Sequence, residues 1–116
     1  MSTRTQPDFD GALCSAIDET VVELLGRSVL EALYVGLRNN YGITRDELPC
    51  RTETFLHVLE IVFGVRGAKT IGINISQKFY GKMGLEFDNH EGYTLFDYVQ
   101  EAKSKLNNML AYRNIR

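Results

Sequence analysis

The sequence contains few cysteines, the residues that cross-link many small proteins through disulfide bonds or metal ions. Only two of its 116 residues are cysteines, Cys14 and Cys50, and they lie far apart without a CxxC spacing. This pattern argues against a disulfide framework and against a structural zinc site. We therefore expect two reduced thiols, as in an intracellular protein.

Long hydrophobic runs are also missing. No apolar segment of the sequence approaches the roughly 20 residues that a membrane-spanning helix needs. Residues 1–10 are polar and lack the hydrophobic core of a signal peptide. We expect a cytoplasmic protein that makes no contact with a membrane.

Neither sign of charge dominates the composition. Thirteen Lys and Arg residues stand against fifteen Asp and Glu residues, which gives a formal net charge of −2. A basic field over the whole molecule, typical of nucleic-acid-binding domains, is therefore missing, although a local basic face is compatible with these numbers. Hydrophobic residues make up 44% of the chain, as is ordinary for a globular domain.

The pattern that is present is helical. Residues 1–9 show no apolar periodicity and are predicted to be disordered, whereas residues 10–116 are predicted to form a single domain. Apolar residues then recur at steps of three and four, which indicates one face of an α-helix. The fold class predicted is all-α, a compact bundle of about five helices with short connections. The predicted helices occupy residues 11–25, 28–41, 52–63, 68–83 and 94 onward, with one helical turn near 44–48.

Capping patterns and glycines mark the ends of these helices. Capping boxes are predicted at three pairs of residues, Ser28 with Glu31, Thr44 with Glu47 and Thr94 with Asp97. Thr52 is expected to cap the third helix, and Gly84 to end the fourth. Gly36 is expected to mark a close helix contact, because glycine inside a helix costs about 1 kcal/mol relative to alanine. The stretch Ile71–Ile75 fits both a helix and a strand, and we predict a helix because residues 68–84 are too long for a typical strand.

Several short motifs occur in a fixed order along roughly residues 15 to 104. They are LGRS at 25–28, ALY at 32–34, YGITRDELP at 41–49, FG at 63–64, GAK at 67–69, GLEF at 84–87, GYT at 92–94, DYV at 97–99 and EA at 101–102. In this order and spacing the chain resembles a small archaeal family, the Nitrosopumilus-type output domain. The resemblance implies a signalling or regulatory output module and brings no catalytic motif. Gly72 and Asn74 depart from the family pattern by interrupting an expected run of helix formers.

Residues that could carry catalysis or bind a cofactor lack the partners such chemistry requires. His57 and His90 belong to no HxxxH pattern, and the nearest possible metal ligands to His57 in the sequence are Cys50 and Glu60. A metal site would have to be built from scattered residues, so we expect neither a metal site nor another cofactor, and interpret His57 as a helix-surface or half-buried residue. Cys50 has no evident base to activate it as a nucleophile. Residues 64–70 resemble a phosphate loop only superficially, because the glycine spacing is wrong. We expect that the protein is not an enzyme.

Two functions remain. The first is a protein–protein interaction module, expected to form a homodimer through an apolar stripe that continues along the terminal helix. Its interface candidates are Leu106, Leu110 and Tyr112. The alternative is a small DNA-binding regulator of helix-turn-helix type, in which residues 52–63 and 68–83 form the two helices. Its candidate contact residues are Lys69, Asn74, Gln77 and Lys78.

Overall fold

A computed structural model describes the backbone of residues 8–115 and the side chains of residues 8–109. These residues form four α-helices and one 3₁₀ helix, and the described part of the chain contains no strand. The elements are α1 (Phe9–Leu25), α2 (Arg27–Tyr41), a 3₁₀ helix (Arg45–Cys50), α3 (Thr52–Met83) and α4 (Leu95–Ile115). The predicted all-α bundle is confirmed.

The chain becomes helical slightly earlier than the apolar pattern indicates. Asp8 caps α1, because its carboxylate accepts a hydrogen bond of 2.9 Å from the backbone N–H of Gly11. Phe9, which falls in the segment predicted to be disordered, is already the first helical residue and packs against the core. Residues 1–7 of that predicted segment lie outside the described residues.

Helix α1 lies at the centre of the bundle and contacts α2, the 3₁₀ helix and α3. Its predicted stripe is buried at Leu13, Ile17 and Val21 and emerges at the C-terminal end, where Leu24 and Leu25 are exposed. Apolar burial of this kind is the main source of folding free energy. The predicted core of α1 is therefore correct for its first three turns.

A kink divides α3 into two arms, which we call the first arm (residues 52–63) and the second arm (residues 65–83). At Gly64 the backbone has φ 80° and ψ 167°, a conformation that is essentially confined to glycine. The next glycine, Gly67, fits closely against Phe63, since a Cβ atom at residue 67 would lie 2.9 Å from the Cβ of Phe63. The two helices predicted here are thus the arms of one kinked helix, and Ile71–Ile75 is helical as predicted.

Two of the three predicted capping boxes form. The backbone N–H of Thr44 donates to the Glu47 carboxylate at 2.9 Å, and that of Thr94 donates to the Asp97 carboxylate at 2.9 Å. The prediction at Ser28 is wrong, because α2 begins at Arg27 directly after Gly26 and its N-terminus has no side-chain cap. With a single residue between α1 and α2, Ser28 already lies inside the first turn.

Two further local predictions are also wrong. Thr52 does not cap α3; its buried hydroxyl donates to the carbonyl oxygens of Leu48 and Pro49 at 3.3 and 3.2 Å. Gly36 contacts no neighbouring helix, because a Cβ atom there would meet nothing within 4 Å. The prediction for Gly84 is correct, since it ends α3 in the left-handed conformation.

Candidate functional site

The predicted interface residues on the terminal helix differ in their availability. Leu106 is partly buried and packs against the hydrophobic core. Met109, three residues further on, is 51% exposed. The side chains of Leu110 and Tyr112 lie outside the described residues, so these two interface predictions stay predictions. Part of the Leu106 side chain is therefore already buried within the chain and is not available to a partner.

The four candidate nucleic-acid contacts lie on the second arm of α3, and two of them already have protein partners. Asn74 donates from Nδ2 to the carbonyl oxygen of Thr70 at 2.8 Å, within its own helix. The Nζ atom of Lys78 lies 3.0 Å from both carboxylate oxygens of Glu23 on α1. Lys69 and Gln77 are exposed. The positive charge of Lys78 is therefore balanced locally.

A second ion pair repeats this arrangement one helical turn away. Lys82 Nζ lies 2.8 Å from a carboxylate oxygen of Glu19, again between α3 and α1. Residues 19 and 23 thus face residues 82 and 78, which shows that α1 and the second arm run in opposite directions. Such solvent-exposed pairs contribute only about 0–1 kcal/mol each to stability, so their main effect is on the charge of this face.

A cleft of about 280 Å³ opens beside the Glu23–Lys78 pair. Its lining residues are Thr20, Glu23, Leu24, Asn74, Gln77 and Lys78. Thr20 is 1% exposed, and its hydroxyl oxygen has no hydrogen-bond partner among the described residues. A buried hydroxyl without a partner is unusual, because the desolvation that it suffers is not compensated. The sequence signal for this site is a threonine in the buried stripe of α1, between Ile17 and Val21.

An apolar surface lies around the kink in α3. We call Ile61, Val62 and Val65 the kink surface. Their side chains are 61%, 57% and 70% exposed, the three highest values among the large hydrophobic residues described. All three lie within five residues of chain, on both sides of Gly64. The apolar residues on both sides of Gly64 are the sequence signal of this surface.

A polar cluster joins α1, α2 and the 3₁₀ helix. The Asp18 carboxylate accepts hydrogen bonds from the hydroxyl of Tyr34 and from the guanidinium of Arg45, whose Nε lies 2.9 Å away. Burial, followed by the hydrogen bond to Asp18, raises the pKa of Tyr34 well above its ordinary value. The hydrogen bond to Asp18 also raises the pKa of Arg45. This cluster is a structural clamp, because its groups bond one another.

A second polar cluster fixes the segment between α3 and α4. The hydroxyl of Tyr80 lies 2.7 Å from both the carbonyl oxygen of Tyr98 and the carboxylate of Glu101. The same carboxylate group lies 3.0 Å from Nε2 of His90. Burial, followed by the hydrogen bond to Glu101, raises the pKa of Tyr80 well above its ordinary value. Phe87 and Tyr93 pack around these groups, so the cluster ties residues 84–94 to α4.

The two thiols and His57 occupy separate environments. Cys14 is buried and donates to the carbonyl oxygen of Arg45 at 3.4 Å, and burial raises the pKa of its thiol. Cys50 is an exposed free thiol, and His57 lies exposed on the first arm of α3, the first of the two placements expected for it. Across the described side chains, no three His, Cys, Asp or Glu residues are grouped so that they could hold a metal ion.

None of the described helices is both long and apolar enough to cross a membrane. No protein-family model, curated protein or solved structure matches the chain. The resemblance to the archaeal output domain therefore stays a prediction.

Proposed function

We propose that this protein is a non-enzymatic interaction module of the cytoplasm that acts in signalling or regulation by burying the kink surface against a second copy of itself. The observation that carries the proposal is the exposure of Ile61, Val62 and Val65 within five residues of chain. Burial of one valine or isoleucine side chain contributes about 1.5–3 kcal/mol, and exposed apolar patches mark contact sites.

Two features of the kink surface favour binding. Its three side chains are β-branched and stiff at χ1, so that ordering them costs little conformational entropy. Phe63, between Val62 and Gly64, is partly buried against the core and anchors the kink from inside. Both features lower the entropy cost of ordering this surface against a partner.

A symmetric dimer suits a small contact patch. In a dimer with a twofold axis the same patch contributes from both chains, so a small patch supplies twice its own contact residues. The exposed Met109 on α4 also permits a contact through the terminal helix. Leu106 is a poor site for testing that contact, because Leu106→Asp would place a charge against the core as well as in any interface.

Sedimentation equilibrium over a range of protein concentrations tests the proposal. The wild-type chain should reach the mass of a dimer, and Val65→Asp should shift it to the monomer. Val65 is the first residue of the second arm, where an acidic side chain suits the helix dipole, so this variant should fold. Val35→Asp is the matched control, since Val35 is 44% exposed on α2 away from the kink. A wild-type monomer at every concentration, or a Val65→Asp dimer, would contradict the proposal.

The alternative proposal is a DNA-binding regulator that uses Lys69, Asn74, Gln77 and Lys78. Its support is the exposure of Lys69 and Gln77 on the second arm of α3. The pairing of Lys78 with Glu23 weighs against it, because counterion release on DNA depends on unpaired cations. Fluorescence anisotropy with labelled duplex DNA at two salt concentrations decides it: salt-sensitive binding lost in Lys69→Ala supports this function, and no binding at low salt removes it.

A further inference from the structure

We propose that two copies of the chain form their dimer by exchanging the second arm of α3 together with α4, while the two arms of α3 straighten into one helix. This inference rests on the proposed function, because it states how two copies bring their kink surfaces together. In the exchanged dimer, the second arm and α4 of each copy pack against α1 of the other copy. The contacts between elements stay the same, and only the backbone at the hinge changes.

The hinge is a single residue. Gly64 is the one residue within Thr52–Met83 whose backbone is not helical, with φ 80° and ψ 167°. Glycine adopts both helical and non-helical backbone conformations, so a rotation at this residue is enough to bring the two arms into line. A very short hinge between packed elements favours exchange, because the same contacts then form either within one chain or between two chains.

The packing beside the hinge also distinguishes the kinked helix from a straight one. Residues 63 and 67 are four positions apart, and Cβ atoms at this spacing lie about 5–6 Å apart on a regular helix. At the kink, a Cβ atom on residue 67 would lie only 2.9 Å from the Cβ of Phe63. The kink therefore requires glycine at residue 67 as well as at residue 64. A straight helix requires glycine at neither position.

Straightening brings the kink surface onto one face of the helix. Val65 then follows Ile61 and Val62 at the i+4 and i+3 spacings, which place side chains on the same side of a helix. Both chains of an exchanged dimer pass between the same two bundles at their hinges. Twofold symmetry therefore places this apolar face of one copy against the same face of the other. The three most exposed of the large hydrophobic side chains described are thus the ones that the exchange buries.

Cross-linking of isotopically mixed protein tests the exchange. Equal amounts of ¹⁴N and ¹⁵N full-length chain are unfolded in urea and refolded together, and the dimer is treated with a carbodiimide, which joins an amine directly to a carboxylate. Lys78 of α3 and Glu23 of α1 lie 3.0 Å apart, so their link reports which chain supplies each element. In an exchanged dimer each such link joins two chains, and about half of the linked peptides should combine ¹⁴N with ¹⁵N. Glu23→Gln removes this link and identifies its peptide.

Substitutions at the hinge test the straightening. Gly64→Ala and Gly67→Ala each disfavour the kinked chain, whereas alanine is the better residue in a straight helix. Because an exchanged dimer relieves two kinks, each variant should lower the dissociation constant of the dimer by on the order of 30-fold or more in sedimentation equilibrium. Gly81→Ala is the matched control, since Gly81 lies in the same helix with open space at its Cβ position, and should leave the constant unchanged. Circular dichroism reports folding, and Gly67→Ala serves alone if Gly64→Ala does not fold.

The results separate this inference from the function on which it rests. A wild-type chain that stays monomeric at every concentration removes both. A wild-type dimer whose linked peptides never combine ¹⁴N with ¹⁵N leaves the proposed function standing and overturns the exchange. Unchanged or weaker association of the folded glycine variants also overturns it, because a dimer that keeps its kinks gains nothing from residues that favour a straight helix.

Discussion

Gly72 of α3 lies directly against Leu95, the first residue of α4. A Cβ atom at residue 72 would lie 3.4 Å from the Cβ of Leu95 and 3.7 Å from its backbone nitrogen. Leu95 is itself 2% exposed, so it has little room to move away. The start of α4 is thus seated on the backbone of α3, which explains why a glycine interrupts the helix formers between Ile71 and Ser76.

Enlarging residue 72 should separate the two helices. Gly72→Val adds three carbon atoms, and the first of them, the Cβ, already contacts Leu95. Overpacking of this kind costs about 1–3 kcal/mol. We expect a decrease of that size in the free energy of unfolding, measured by urea denaturation followed by circular dichroism.

The matched control is Gly36→Ala in α2, where a Cβ atom meets nothing within 4 Å. Alanine is favoured over glycine inside a helix by about 1 kcal/mol, so this variant should be more stable than the wild type. A loss of stability in Gly36→Ala would mean that α2 has a neighbour at this position after all.

The contrast between these two glycines shows where sequence reasoning succeeds and where it ends. The apolar periodicity predicted the α-helices, because helices bury one face at regular residue spacing, although at Ile71–Ile75 the length of the segment had to decide between helix and strand. The cost of glycine inside a helix led to a predicted contact at Gly36 instead of Gly72. Both glycines lie inside helices, and which one faces a neighbour depends on how the helices are arranged in space. Local propensity carries no information about that arrangement.

The candidate sites show the same difference between what one helix determines and what depends on the arrangement of several helices. The candidate nucleic-acid contacts of the second arm were identified from their side-chain types and their place on one predicted helix, and they do share a helix. Their partners on α1 could not be predicted, because Glu23 and Lys78 are 55 residues apart in the chain. The kink surface depends on Gly64, whose backbone conformation breaks the helix and leaves Val65 at the start of a new arm. The sequence could not single out Thr20, because its distinguishing feature is a missing hydrogen bond to its hydroxyl, which depends on the folded structure.

The kink itself is testable through Gly64. Any residue with a Cβ is strained at φ 80° and ψ 167°, and such strain costs on the order of 1–3 kcal/mol. Gly64→Ala should therefore lower the free energy of unfolding by about 2 kcal/mol, as measured by urea denaturation.

Gly81, near the end of the second arm, is the control for the kink. It has open space around its Cβ position and no positive φ. Gly81→Ala should leave stability unchanged or raise it slightly, as alanine is the better helix former. If Gly64→Ala is as stable as Gly81→Ala, the chain does not need the kink in order to fold.

Alkaline pH should destabilise the protein through two tyrosines. The pKa values of Tyr34 and Tyr80 lie above the ordinary value of 10.0, because burial and the hydrogen bonds to Asp18 and Glu101 favour the neutral hydroxyls. Their contribution to stability is complete below about pH 10 and is lost as the pH rises above it, since the unfolded chain then releases protons that the folded chain retains. The loss is at most about 1.4 kcal/mol per pH unit for each tyrosine.

Urea denaturation at several pH values between about 8 and 11 measures this slope. Above pH 10 the free energy of unfolding should fall less steeply with pH in Tyr34→Phe and in Tyr80→Phe than in the wild type, whatever the stability of these variants at neutral pH. Tyr41→Phe is the control, because Tyr41 is 39% exposed and its removal should leave the slope as it is. Equal slopes for all four proteins would mean that other groups govern the alkaline transition.

Thr20→Val should make the protein more stable. Valine has nearly the shape of threonine, and it replaces a buried hydroxyl that has no partner among the described residues with a methyl group. Leaving such a hydroxyl unsatisfied costs about 1–3 kcal/mol, so we expect a gain of about 1 kcal/mol in the free energy of unfolding. Urea denaturation measures it, with Thr52→Val as the opposite control, because the hydroxyl of Thr52 donates to two carbonyl oxygens and its loss should destabilise. A destabilised Thr20→Val would show that the hydroxyl has a partner in the folded chain.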